Sequence, residues 1–235
     1  MILTIQNVNS QEMYDITFDD SHYKGGIYSC GYSNGIYFRN AVNINKKLLR
    51  TYEINIGHIK HFKEKSILNQ RIGNTTPYIF GKLNRLYVLR PMIGVSKTIS
   101  EKKSKNNIGV TFFGGVGPII GFLKPLYVDL DVFDTSGTNE SGKISVRYNP
   151  TTTPQNRILG YSSFGKGIGD SKLISGLCFK SGISFDWGTY RSDFKSIELG
   201  IQLDYFPSRP KIMDEIKNKT IFSGFYISFA FGKNY

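Results

Sequence analysis

The sequence predicts an all-β fold: an antiparallel, up-and-down transmembrane β-barrel of about eight strands, closed by its C-terminal strand. Three observations carry that prediction. Apolar residues recur at every second position through most of the chain, the period of a strand with one greasy face. The intervening positions hold Gly, Ser, Ala, Asn and isolated charges of both signs, instead of the Lys/Glu mixture of a solvated face. The alternating segments run about 9–15 residues, longer than soluble strands and long enough to cross a bilayer at a tilt.

The strands follow in order. "GIYSCGYSNGIYFR" (26–39) is Gly- and Tyr-rich and reads as the first, although its Asn34-Gly35 could instead be a turn. "YEINIGHI" (52–59) sets Tyr52, Ile54 and Ile56 against Glu53, Asn55 and Gly57. "NRLYVLRPMIGVSKTI" (84–99) is strand-like with Pro91 after Arg90, and 107–122 puts Val110, Phe112, Val116, Ile120 and Phe122 on one parity. "LYVDLDVFD" (126–134) opposes Leu126, Val128, Leu130 and Val132 to Tyr127, Asp129 and Asp131. "GLCFKSGISFDW" (176–187) and "SIELGIQLDYF" (196–206) are the cleanest alternations. The last strand, about 219–232, leads into "FSGFYISFAFGKNY", in which Phe225, Ile227, Phe229, Phe231 and Tyr235 share one side.

Alternation alone does not choose between a soluble sandwich, whose apolar faces pack together, and a membrane barrel, whose apolar face meets lipid. The barrel is favoured because Glu53, Arg90, Asp129, Asp131, Lys180, Asp186, Glu198, Gln202 and Asp204 all fall on polar parities. There they can pair in a narrow lumen. Aromatics at strand ends, such as Tyr52, Trp187, Tyr205 and Tyr235, suit an interfacial girdle. A closed sheet also leaves no exposed edge.

Composition excludes other classes. No apolar run reaches the length of a transmembrane helix. The formal net charge is +12, which raises a nucleic-acid partner. The aromatics belong to the apolar parity, however, and do not interleave with the basic residues, so no nucleic acid is expected. Cys30 and Cys178 lie far apart with no metal-ligand spacing. His58 and His61 fall on opposite faces of a strand, wrong for shared ligation with Glu53 or Glu64. Ser29 and Ser184 have no histidine placed beside them, Asp129 and Asp131 are explained by pairing with Lys180 or Arg90, and "GKGIGD" (165–170) lacks the setting of a phosphate loop. No catalytic, metal or cofactor site is expected.

The C-terminal strand, alternating and ending in an aromatic, resembles the assembly signal of bacterial outer-membrane barrels. "IFGKLNRLYVLRPMIG" (79–94) and "GPIIGFLKPLYVDL" (117–130) are similar to an uncharacterised family of small outer-membrane barrel proteins from Bacteroidetes. The resemblance implies residence in the outer membrane and insertion by the barrel-assembly machinery. It attaches no activity to the two internal stretches. Residues 1–10 read as the remnant of a signal peptide with a Ser10-Gln11 junction, 11–25 as a periplasmic segment and 26–235 as the barrel. With both termini periplasmic, the connections at 40–47, 100–107, 134–174 and 208–218 are expected outside. Lys46, Lys47, Lys102, Lys103 and Lys105 would then face the phosphates of lipopolysaccharide. The turns at 62–83, 122–125 and 188–193 are expected inside, where 62–83 is oddly long and could plug the barrel or dock a partner.

The function expected is that of a structural or interaction barrel of the cell envelope with a side-chain-filled lumen. The alternatives are a narrow transport or small-hydrophobic-ligand barrel, a lipid-modifying enzyme such as an acyl hydrolase or acyltransferase, and a soluble β-barrel binder.

Overall fold

The computed structural model describes residues 21–45, 47–68, 76–100, 108–132, 142–188, 193–214 and 218–234, with only the backbone given for Ser21, Asp193, Phe194 and Asn234. In chain order its strands are β1 (Ser21–Cys30), β2 (Ser33–Asn45), β3 (Leu48–Ile59), β4 (Ser66–Ile67), β5 (Tyr78–Ile79), β6 (Asn84–Ser100), β7 (Gly109–Pro125), β8 (Tyr127–Val132), β9 (Gly142–Arg147), β10 (Ile158–Tyr161), β11 (Lys172–Gly188), β12 (Asp193–Tyr205) and β13 (Ile221–Asn234).

Eight of these close into one barrel in the order β1-β13-β12-β11-β7-β6-β3-β2. Every pairing in it is antiparallel. The last strand closes on the first through a register running from His22↔Asn234 to Cys30↔Tyr226. The expected number of strands is present, but two of the expected strands are not the ones that supply it. The 26–39 stretch is not one strand: the chain turns at Gly31-Tyr32, and β1 and β2 pair from Cys30↔Ser33 upward. Conversely, 126–134 is not a wall strand. Its β8 lies in a separate three-stranded sheet, order β10-β8-β9. Ser21 to Gly25, within the segment expected to precede the barrel, therefore belong to its wall.

The wall has the polarity of a membrane barrel. Leu177, Phe179, Ile183 and Phe185 of β11 face outward, as do Leu199, Ile201 and Leu203 of β12 and Phe225, Ile227, Phe229 and Phe231 of β13. On β7 the outward run spans Phe112 to Phe122. Ten steps at about 3.3 Å and a tilt near 40° cover about 25 Å, the height of a bilayer's apolar band. Small residues inside the wall make room for bulky ones: Tyr28 lies across Gly35 and Gly57, and Tyr226 across Gly182 and Gly200, where any Cβ would collide with the tyrosine ring or its hydroxyl.

Strand direction separates two rims. The start of β1, the β2–β3 hairpin, the ends of β6 and β11 and the end of β13 lie at one, called here the terminal rim. The connections 60–83, 126–171 and 206–220 leave from the other. There they knit into a lid. Leu83 N–H donates to the Ile212 carbonyl, Leu126 N–H to Leu83 and Tyr148 N–H to Leu126. The Tyr161 hydroxyl accepts from Ile79 N–H, and the Tyr148 hydroxyl from Gly81 N–H. The lid has its own core of Tyr78, Leu126, Val128, Leu130, Tyr148 and Ile158.

This topology corrects the expected sidedness. The β2–β3 connection and the strand ends that flank 101–107 belong to the terminal rim, while 62–83 belongs with the other long connections and 122–125 is no inside turn but the lid-side end of β7. The expected misfit of a long turn among short ones disappears, because the two errors in strand assignment had flipped these connections from one rim to the other.

Candidate functional site

Alternation on the wall strands points one residue in two into a lumen too narrow for bulk water, so charges there must satisfy one another. Arg39 of β2 is the hub. Its guanidinium donates Nη1 to Glu198 Oε2 at 2.6 Å, Nη2 to Glu198 Oε1 at 3.0 Å and Nε to Glu53 Oε2 at 2.7 Å. It also stacks on Phe113, 3.6 Å from the ring centre. Lys180 completes the cluster at 2.9 Å from Glu53 and 3.5 Å from Glu198. Lys24 reaches Glu198 at 3.3 Å and Ser184 at 2.9 Å, and the Tyr226 hydroxyl donates to Glu198 at 2.7 Å.

A second cluster lies nearer the lid. Arg90 grips Asp204 with Nη2 at 2.6 Å and Nε at 3.1 Å, and donates Nη1 to Tyr28 and Asn55, both at 3.0 Å. Arg90, Lys180, Glu198 and Asp204 are all 0% exposed. Between this cluster and the lid the lumen turns apolar. Ile59, Leu86, Val88, Ile119 and Leu123 of the wall pack against Phe206, Ile212 and Met213, which the β12–β13 connection folds into the mouth.

Of the nine residues expected to form the lumen network, Glu53, Arg90, Lys180, Glu198, Gln202 and Asp204 point inward and are buried. Gln202 sits between the clusters, and neither atom of its amide has a partner among the described residues. Asp186 is half-buried and accepts from the Ser184 hydroxyl at 2.8 Å. Asp129 and Asp131 are not lumen residues, because β8 is not in the wall. Asp129 is held in the lid by Lys143 at 2.7 Å and by the Ser145 and Ser162 hydroxyls. Its carboxyl is pushed up by burial and pulled down further by those three donors, to a value below the usual one.

The hub Arg39, with Lys24, Tyr28 and Tyr226, was not foreseen. Arg39 ended a segment misread as one strand, and Lys24 lay in a segment read as preceding the barrel. Splitting 26–39 at Gly31-Tyr32 puts Lys24 and Arg39 on the inward parity and directly opposite each other.

Phe225, Ile227, Phe229 and Phe231 form one outward stripe on β13, and Tyr235 lies outside the described residues. Of the lysines expected to meet lipopolysaccharide, Lys47 caps the β2–β3 hairpin at the terminal rim, on the same side as the N-terminus of β1. Lys46, Lys102, Lys103 and Lys105 lie outside the described residues, although the strands flanking 101–107 end at that same rim. Cys30 and Cys178 are both buried thiols. His58 is outward on β3 against the Tyr87 ring at 5.2 Å, and His61 is buried beyond the strand's end. Among the described residues no three His, Cys, Asp or Glu side chains are grouped to hold a metal.

No protein-family model and no curated protein matches the chain. Among solved structures it is similar to Ail, the attachment invasion locus protein of Yersinia pestis, at 13% identity and a TM-score of 0.45, covering 92% of this chain and 97% of that one. It is also similar to Neisserial surface protein A, at 7% identity and TM-score 0.43 over 92% and 96% of the two chains. A third is the N-terminal β-barrel domain of Pseudomonas aeruginosa OprF, at 6% identity and TM-score 0.39 over 92% and 98%. Each likeness is one of barrel shape alone.

Proposed function

We propose that the chain is a sealed, non-conducting barrel of a bacterial outer membrane that presents its folded lid outside the cell as an interaction surface. The observation that carries this reading is the filled lumen. Two ion-pair clusters and the apolar plug of Phe206, Ile212 and Met213 occupy the space a solute would need, and the largest side chains there are fully buried. The long connections gather at one rim, and the two-residue β2–β3 hairpin lies at the other, the asymmetry of outer-membrane barrels with periplasmic termini. The outward stripe of Phe225, Ile227, Phe229 and Phe231 is the surface we assign to the assembly machinery.

Reconstitution in planar bilayers tests the reading. A sealed barrel gives no stable openings at either polarity, while gel samples keep the faster migration of a folded barrel until boiled. Stable single-channel steps from such folded protein would overturn it.

A further inference from the structure

The wall just below the lid carries an ordered arrangement that the sealed-barrel reading leaves unused. It lies where the two stretches 79–94 and 117–130 pair with each other along β6 and β7. Across three strands one outward row reads His58↔Tyr87↔Phe122, and β11 extends it with Leu173. Below it the wall is apolar: Ile56 and Ile54 on β3, Leu89, Pro91 and Ile93 on β6, Ile120 and Val116 on β7. The next row toward the lid is cationic. Arg85 of β6 stands directly opposite Lys124 of β7, and Lys60 follows β3 by one residue.

Like charges directly opposite on neighbouring strands repel, and no acid among the described residues pairs with them. Among the described residues Lys60, Arg85 and Lys124 form no ion pair. Glu64 is taken by Lys82 at 2.6 Å, and Asp170 accepts from the Tyr127 hydroxyl at 2.7 Å. The row is held by aromatic faces instead. The Arg85 guanidinium lies 4.7 Å from the Tyr161 ring, and the Lys124 ammonium, buried beneath Phe164 at 7% exposure, lies 4.2 Å from the Phe164 ring while donating to its carbonyl. Phe164 in turn meets Tyr87 edge-on at 6.0 Å and stays 59% exposed, so an aromatic of the lid connection lies against the wall beside the cations. The terminal rim has outward cations too, but not in rows: Arg50 faces Val95, Lys97 faces Leu48, and Lys195 faces Phe231.

We propose that Lys60 and Arg85 bind a phosphate of an outer-leaflet glycolipid, with the buried Lys124 adding its charge from beneath Phe164 and with Tyr87, Phe122 and Phe164 against the upper acyl chains. Only lipid headgroups lie at that height beside an apolar wall. A phosphate group, with several acceptor oxygens, can bridge an Arg fork and a neighbouring ammonium, turning their repulsion into attraction. The choice of glycolipid rests on the proposed orientation, lid outward.

The test uses full-length protein in detergent micelles, with native mass spectrometry reading bound lipid after incubation with bis-phosphorylated lipid A or its dephosphorylated form. Wild type is expected to retain the phosphorylated lipid and not the other. Lys60→Gln/Arg85→Gln is expected to lose retention by about tenfold or more, and Lys47→Gln at the opposite rim to leave it unchanged. Heat-modifiable migration of each sample confirms a folded barrel. Undiminished retention by the folded double variant, or equal uptake of the dephosphorylated lipid, would overturn the proposal. Labelling of a Lys166→Cys variant in intact cells checks the orientation separately. If this lid position reacts only after the envelope is opened, the glycolipid assignment falls with the orientation, whatever the micelle result; conductance tests the seal independently.

Discussion

The wall strand β12 and the lid strand β8 carry the same alternation with opposite consequences. In β12, Leu199 and Ile201 face out while Glu198, Gln202 and Asp204 are buried. In β8, Val128 and Leu130, with Leu126 just before them, are buried in a small core, and Asp129 is held at its edge by a lysine and two serines. Period-2 patterning records that one face differs from the other. Which face meets its own protein is decided by the neighbouring strands: β12 pairs within a closed ring whose interior beside it is filled by paired charges, while β8 pairs within an open sheet that can fold over its leucines. The molecule is thus an inside-out barrel carrying a right-side-out lid.

The largest effect that would break this contrast is in the lumen. Arg39→Met removes the cation that both Glu53 and Glu198 hold. It leaves Glu53 to Lys180, and Glu198 to Lys180, Lys24 and the Tyr226 hydroxyl. Stripping one partner from a buried ion cluster costs about 3–5 kcal/mol, so urea unfolding of the detergent-folded barrel is expected to shift to clearly lower denaturant. A change within error would mean that the lumen is wet and the charges solvated, which would also weaken the sealed-barrel reading. An Arg39→Met/Glu198→Gln pair should recover part of the loss, because fewer charges are then stranded.

The contrast also explains what could be read in advance. Fold class, wall polarity and most of the lumen acids were legible because β11, β12 and β13 alternate without interruption for a full crossing. The β1–β2 turn was not, since Gly31-Tyr32 carries no proline and the Asn-Gly pair that advertises a turn begins one residue into β2. β8 was misplaced because Leu126-Val128-Leu130 has the same period as a wall strand. Its six residues against the seventeen of β7 are the only local sign that it does not cross a bilayer. The two misreadings cancelled in the strand number while placing 40–47, 62–83, 100–107 and 122–125 at the wrong rim, and they hid Lys24 and Arg39. The cation row was invisible for another reason: Lys60, Arg85 and Lys124 align only once three strands have a register.

Equal exposure with unequal solvent gives the next test. Leu199 at mid-wall and Ile144 in the lid are 46% and 49% exposed. If the wall faces lipid, Leu199→Arg costs about 2–4 kcal/mol in a bilayer, and Ile144→Arg stays within about 0.5 kcal/mol. Unfolding from liposomes measures both. Similar small costs at the two positions would show that the wall faces water and would return the chain to the soluble binders.

The smallest effect sits at the polar edge of the lid. Asp129 is ionised below the usual carboxylate range, so the folded state binds its proton more weakly than the unfolded chain does. The stabilisation it provides is therefore complete above the unfolded value, about 3.9, and is lost as pH falls toward the lower folded value. Lys143 is itself largely exposed, which limits the ion pair to the modest worth of a surface pair, and the two serine hydrogen bonds carry much of the rest. Asp129→Asn is expected to cost the lid about 0.5–1.5 kcal/mol at pH 7 and to remove its acid sensitivity. Amide exchange of β8 and β9, corrected for the intrinsic pH dependence and compared between pH 6 and pH 3, reads this directly. Wild-type protection should drop and the variant's should not, while β12 in the wall serves as the internal reference. An equal drop in both proteins would mean that another group, and not Asp129, ties the lid's sheet together.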